Sequence, residues 1–232
     1  MYDTKANIGA LFDRIAGHYD GLNHLLSLNI DKRWRHEAVK SLPDCSQFCL
    51  DVATGTGDLA IAIVQAGKAQ QVIGVDLSDK MINIGEKKVR DFNLTTNISF
   101  QHADCAALPF DDKTFNVVTC SYGVRNFAEL DKSLAEMYRV LVPGGELRIL
   151  EFAYPTSRVM RSVYDFYFTK LLPIVGRIVS HDKSAYDYLP QSVKSFIWGD
   201  EFLERLHKAG FANTSFKSQT FGISMLYKAT KL

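Results

Sequence analysis

Apolar positions along this chain switch between a helical period and a strand period, and each switch marks an element. Ile8, Leu11, Phe12 and Ile15 recur at three- and four-residue spacing, which predicts an amphipathic helix. A polar-aromatic stretch over 16–29 separates it from a second helix over 31–41, stopped by Pro43. From residue 46 to about 152, short apolar runs alternate with helical periods. The runs 48–53, 71–76, 97–102 and 115–121 read as strands. Helices over 58–66, 79–91 (with Ser78 as N-cap) and 131–141 separate the strands. Pro143-Gly144-Gly145 turns the chain into a strand over 146–152. Repeated strand–helix units imply an α/β fold with a mostly parallel sheet covered on both faces. Residues 153–198 break the rhythm with an aromatic-rich helical stretch around Tyr164, Phe166, Tyr167 and Phe168. A helix over 200–209 ends at Gly210, and strands near 211–218 and 221–230 form a terminal hairpin, an antiparallel edge that makes seven strands in all.

The expected organisation is one domain over 1–232. A helical cap covers 1–45, a ligand-binding core 46–152, a helical insertion 153–198, and a terminal helix and hairpin 199–232. The length suits one large α/β domain. With 27 Lys plus Arg against 26 Asp plus Glu, the net charge is +1, far from the basic excess of most nucleic-acid binders, so no nucleic-acid partner is expected. Four cysteines include Cys45 and Cys49 in a C-x-x-x-C spacing with no second Cys/His pair nearby. They read as reduced thiols, and no metal site is expected. Residues 1–7 hold no signal-peptide apolar run, and no apolar stretch reaches the roughly 18 residues of a membrane span. The expected location is cytoplasmic, at most peripheral at the inner face of a membrane.

Asp51-Val52-Ala53-Thr54-Gly55-Thr56-Gly57-Asp58-Leu59-Ala60 lies between a predicted strand and a predicted helix. Gly55 and Gly57 permit a sharp turn and close backbone approach to a ligand. Asp76 ends the next strand, where a carboxylate can take ribose hydroxyls. The pattern Gly55-x-Gly57-x-x-Ala60 also satisfies a dinucleotide fingerprint, so an NAD-linked oxidoreductase is a rival reading. Three features favour S-adenosyl-L-methionine as cofactor instead. Asp51 suits its cationic amino acid end. Asp104, with its neighbour Cys105, suits the adenine edge. The Pro-Gly-Gly turn before a strand recurs in methyltransferases, whose class I fold is Rossmann-like.

Longer blocks carry a sharper resemblance. One is Phe12-Asp13-Arg14-Ile15-Ala16-x-x-Tyr19-Asp20-x-x-Asn23-x-x-x-Ser27, continuing to Arg33-Trp34-Arg35. A second is Ser121-Tyr122-Gly123-Val124-Arg125-Asn126-Phe127. A third is Met137-Tyr138-Arg139-Val140-Leu141-x-Pro143-Gly144-Gly145, leading to Leu150-Glu151-Phe152. The tail Ser184-x-Tyr186-x-Tyr188-Leu189 adds to them. Over nearly its whole length the chain resembles the UbiE/MenG family of quinone-biosynthetic C-methyltransferases. It departs from the family pattern at Ala53, where Gly is frequent, and around Phe196-Ile197-Trp198-Gly199.

The resemblance implies methylation of a ring carbon on a prenylated quinol, demethylmenaquinol first and the benzoquinol precursor of ubiquinol as the alternative. It implies cofactor contacts from Thr56, Asp76, Asp104, Cys105 and Ser121, with the N-terminal cap as a lid. It leaves a homodimer open. A quinol carbon is a weak nucleophile until a ring hydroxyl loses its proton, so a base or a phenolate stabiliser is required. The candidates are Tyr19, Asp20, Asn23, Arg125 and Asn126, with His18 behind them. Arg125 stays protonated and is therefore expected to stabilise a phenolate, or else to form a structural ion pair. The aromatic stretch at 164–168 is expected either to line a prenyl tunnel or to pack in the core. With the flanking cations Arg161, Lys170 and Arg177, the segment 164–179 suits a membrane interface.

Overall fold

The computed structural model describes residues 8–21, 27, 29–44, 46–167 and 190–232, with the side chain of His18 outside that set. Helix α1 (Ile8–Ile15) leads into a 3-10 turn over Ala16–His18, and α2 is Ile30–Lys40. Strand and helix then alternate: β1 (Ser46–Val52), α3 (Asp58–Gln65), β2 (Ala69–Asp76), α4 (Asp79–Asp91), β3 (Ile98–His102) and β4 (Phe115–Ser121). Next come α5 (Leu130–Val140), β5 (Leu141–Phe152) and α6 (Arg158–Phe166). The chain closes with α7 (Asp200–Lys208), β6 (Ala212–Gln219) and β7 (Ser224–Thr230). Helix α4 starts where Ser78 accepts a hydrogen bond from the Met81 amide at 3.2 Å, satisfying one of the first-turn donors that a helix leaves open.

The seven strands form one sheet in the order β3-β2-β1-β4-β5-β7-β6. Four neighbouring pairs are parallel, and β7 runs against both β5 and β6. Only β7 therefore opposes the common direction. The two-residue strand period sends alternate side chains to opposite faces. Leu50, Val52, Val118 and Cys120 pack on one side with Leu134, Met137, Phe202 and Tyr227. Cys49, Val72 and Val117 pack on the other with Val39, Leu59 and Ile63. Phe202 is fully buried, and trimming such a ring to Ala costs about 3–5 kcal/mol.

The terminal hairpin forms the expected antiparallel edge, with β7 between β5 and β6 and β6 outermost. One expectation about the sheet is corrected. Pro143-Gly144-Gly145 does not precede a strand but is a bulge inside β5. Phe115 faces Leu141 and Val117 faces Glu146, so five residues of β5 advance against two of β4. Gly144, at φ +78°, turns that bulge, and its amide donates to the Lys231 carbonyl at 2.7 Å. Asn23, Cys45, Phe168, the segment 168–179 and the tail block 184–189 lie outside the described residues.

Candidate active site

A cavity of about 360 Å³ opens at the carboxyl edge of the parallel strands, within the usual size range of small-molecule sites. Open α/β sheets bind ligands at this edge, where strand order reverses, here between β1 and β4. Ala53 and Gly55 after β1, Asp76 at the end of β2, Asp104 and Cys105 after β3 and Ser121 at the end of β4 all line it. From the other side it is covered by Ile8 and Phe12 of α1 and by Tyr19, whose ring meets Phe12 edge-on at 5.8 Å. The N-terminal segment thus lies over the crevice as a lid.

The turn after β1 is held in an unusual backbone. Ala53, Gly55 and Gly57 all have positive φ, at 52°, 56° and 77°. A side chain on Gly57 would bring its Cβ within 2.7 Å of the Phe100 ring, so this glycine serves close packing as well as turn geometry. The Gly55 amide donates to Asp76 Oδ2 at 2.8 Å, and the Ser78 amide to Oδ1 at 2.9 Å. Burial pushes the Asp76 carboxyl up from its ordinary range, and these backbone donors oppose that push. Asp104 Oδ1 accepts from the Ala106 amide at 2.9 Å. Cys105 Sγ lies 3.3 Å from the Ser133 hydroxyl, and burial pushes its thiol up to about 12, which leaves it an inert wall rather than a nucleophile.

Of the sequence-derived candidates, the cavity thus gathers Gly55, Asp76, Asp104, Cys105, Ser121, Tyr19 and Asn126. Others are directed elsewhere. The Asp51 carboxylate accepts hydrogen bonds from the Thr54 and Thr119 hydroxyls, both at 2.7 Å, in a buried position off the cavity wall. Burial raises its pKa to about 6 against those two donors. It does not reach the crevice as the expected partner of an amino group. Thr56 turns its hydroxyl to Asp20 at 2.6 Å, and the other Asp20 oxygen meets Lys88 Nζ at 2.6 Å. Thr56 and Asp20 therefore hold each other and the lid instead of facing the cavity.

Arg125 follows the alternative reading, a structural ion pair. Its Nη1 donates to Glu151 Oε1 at 2.7 Å and to the Tyr122 carbonyl, and its backbone amide donates to Glu151 Oε2 at 3.1 Å. Its guanidinium also sits 5.3 Å from the centre of the Phe152 ring. Both charged side chains are almost wholly buried, at 5% and 0% exposure. The expectation of a guanidinium aimed at the acceptor is corrected accordingly: the charge is committed inside the wall behind the cavity.

Several contributors were not singled out from sequence. Tyr122 lines the cavity with φ +58°, its ring stacks on Phe152 at 4.4 Å, and its buried hydroxyl meets no hydrogen-bond partner among the described residues. Burial pushes that phenol above its ordinary range. Ser78 donates to Asp13 at 2.5 Å and so docks α1 on the start of α4. The Ser78 N-cap signal and the Phe12-Asp13-Arg14 block were visible separately, but their pairing spans 65 residues and only the fold brings them together.

A single sheet in this order, with one reversed strand and a Gly-rich turn facing an acid at the next strand's end, is the Rossmann-like fold of class I methyltransferases. The ubiE/COQ5 methyltransferase family model matches residues 1–231, and the chain belongs to that family. It is similar to a demethylmenaquinone methyltransferase of Bacteroides fragilis, at 45% identity over 95% of this chain and 91% of that one. A second so named, from Porphyromonas gingivalis, is 42% identical over 99% and 96%. A ubiquinone/menaquinone biosynthesis C-methyltransferase, UbiE, of Geobacter sulfurreducens is 42% identical over 100% and 91%. Among solved structures, a SAM-dependent methyltransferase of Thermotoga maritima, described as a possible histamine N-methyltransferase, matches with a TM-score of 0.68. It is 20% identical over 97% of this chain and 99% of that one. The cyclase SpnF matches with a TM-score of 0.74 at 16% identity, over 98% and 96%. A cyclase on this scaffold shows that the fold by itself does not set the reaction.

Proposed function

We propose that the protein is an S-adenosylmethionine-dependent C-methyltransferase that converts demethylmenaquinol to menaquinol. The observation that carries this reading is full-length membership of the ubiE/COQ5 family joined to a crevice suited to the cofactor. Asp76, anchored by two backbone amides, is oriented to accept from the ribose hydroxyls. Asp104 and Cys105 flank the position of the base, and Ser121 with the turn at Gly55 borders the amino acid end. When bound, S-adenosylmethionine supplies an electrophilic methyl group.

The chain's own part is to orient the acceptor, exclude water and handle the ring proton. Tyr19 from the lid and Asn126 from the β4 edge both line the cavity, and they are the polar groups we assign to the acceptor's oxygen. Closing Ile8 and Phe12 over the crevice removes water and strengthens each polar contact inside. The Arg125–Glu151 pair fixes the Tyr122–Asn126 segment from behind. Asn23 keeps its place as a candidate by resemblance alone.

A prenylated acceptor partitions into lipid, and α6 offers Val159, Val163 and Phe166 as an exposed stripe at helical spacing, 73%, 54% and 61% accessible. Peripheral contact with a bilayer fits this stripe, and no helix of the described residues is long and apolar enough to cross one. Liposome flotation tests the contact, and failure to float with both neutral and anionic vesicles contradicts it. Quinone profiling of a strain lacking the gene tests the acceptor. Accumulation of demethylmenaquinone with loss of menaquinone is expected. Accumulation of an unmethylated benzoquinone alone instead supports the ubiquinol precursor.

A further inference from the structure

Beneath the Gly-rich turn lies a charged cluster that the reaction scheme above leaves unused. Lys88, three turns into α4, places its Nζ 2.6 Å from Asp20 Oδ2, 2.6 Å from Asp58 Oδ1 and 2.9 Å from Thr56 Oγ1. An ammonium has three donors, and each has an acceptor here. The three acceptors belong to three different parts of the site. Asp20 is on the lid, Thr56 is in the turn between Gly55 and Gly57, and Asp58 opens α3. Thr56 donates in turn to Asp20 Oδ1 at 2.6 Å, which closes a ring of Thr56, Asp20 and Lys88. On the far side Asp58 Oδ2 meets Arg35 of α2 at 3.1 Å.

Resting on the cofactor assignment above, we propose that Lys88 is a positioning residue for cofactor binding, whose ammonium clamps the lid onto the cofactor-binding turn and holds the crevice closed. The turn cannot hold its own shape cheaply. Ala53, a residue with a Cβ, is held in the left-handed region at φ +52°, where its side chain crowds the backbone. Its position also sets that of Asp76, through the Gly55 amide. Anything that steadies Thr56 therefore steadies the ribose carboxylate.

The lid is fastened to α4 at two places. Asp13 takes the Ser78 hydroxyl at the start of the helix, and Asp20 takes Lys88 ten residues later, about 15 Å along the axis. Without Lys88, Asp20 and Asp58 lose the cation between them, and the lid end of the clamp loses its charge partner. Lys88 and Asp20 are 22% and 26% exposed, so solvent screens the pair and the expected effects are moderate.

The test compares wild type, Lys88→Met, Asp20→Asn and the double variant. Chymotrypsin cleavage after Phe12 and Tyr19 is followed without cofactor, and S-adenosylmethionine affinity and the rate at saturating cofactor are measured separately. Lys88→Met is expected to speed lid cleavage and weaken cofactor binding by roughly five- to tenfold each, with a change of less than about threefold in the saturated rate. In lid cleavage the double variant should lose little beyond either single one, since both break the same Lys88–Asp20 pair that fastens the lid. Unchanged lid cleavage in Lys88→Met, or fully additive losses in the double variant, overturns the proposal. So does uniformly faster cleavage across the whole chain. If the wild type binds no S-adenosylmethionine, the cofactor assignment fails, and the cleavage comparison still decides whether Lys88 clamps the lid.

Discussion

Replacing Arg125 by Met separates two roles that sequence alone leaves entangled. In the structure its guanidinium pairs with a carboxylate that is fully buried, and that carboxylate also accepts the amides of Arg125 and Phe152. Removing the cation strands the Glu151 charge where water cannot reach it. Breaking a buried pair from one side costs about 3–5 kcal/mol. At 2–4 °C per kcal/mol for a chain of this size, the melting midpoint should fall by roughly 6–20 °C. The assay is urea unfolding of the wild type, Arg125→Met, Glu151→Gln and the double variant, with methyl-transfer rates measured alongside. The double variant should recover at least about 1.5 kcal/mol relative to the sum of the single losses, because neither charge is then stranded. If Arg125→Met keeps its stability within about 1 kcal/mol and loses a hundredfold or more in rate, the reasoning fails. The guanidinium would then act on the developing phenolate directly.

Asp76→Ala should weaken S-adenosylmethionine binding at least a hundredfold, since it removes the carboxylate assigned to the two ribose hydroxyls, at about 1.5–3 kcal/mol for each charge-assisted contact; calorimetric titration checks this. Asp51 gives a pH signature. Its pKa is raised by burial to about 6 from 3.8, so the folded state binds the proton more tightly than the unfolded chain. The stability this confers is present below about pH 4 and lost as pH rises through about 6, a difference of about 3 kcal/mol. Asp51→Asn should remove that slope, seen as a wild-type-minus-variant difference in unfolding free energy between pH 4 and 7; parallel curves contradict it. Tyr122→Phe removes a buried hydroxyl that has no partner among the described residues while keeping the stack on Phe152. It should therefore raise unfolding stability by about 1 kcal/mol, and a loss of that size would show a partner that matters.

The order of strands and helices was readable because each element carries its own local signal. Helix α4 is bounded by the Ser78 cap and ends as expected at Asp91, and β4 matches the apolar run 115–121. The bulge in β5 was not readable, because a Pro-Gly-Gly run reads locally as a turn. What keeps it in the strand is pairing with Lys231, almost ninety residues further on. The same distinction governs the site. Asp76, Asp104, Cys105 and Ser121 follow strand ends, so locating the strands locates them at the carboxyl edge. Which way Asp51, Thr56 and Arg125 turn depends on distant partners, Thr119, Asp20 and Glu151. Lys88 gave no signal of its own, being one of several charged residues on an exposed-looking helix. Its role emerges only where α4, the lid and the Gly-rich turn meet.

The most direct measurement is turnover with S-adenosylmethionine bearing a deuterated methyl group and a short-chain demethylmenaquinone, supplied in reduced and in oxidised form. Mass spectrometry then locates the label in the product. The expected result is one labelled methyl on a ring carbon of the naphthoquinol, one S-adenosylhomocysteine formed per methyl, and no turnover of the oxidised quinone, whose ring carbon is too electron-poor to be methylated. Label on an oxygen, equal turnover of both redox forms, or no product from the reduced acceptor would contradict it.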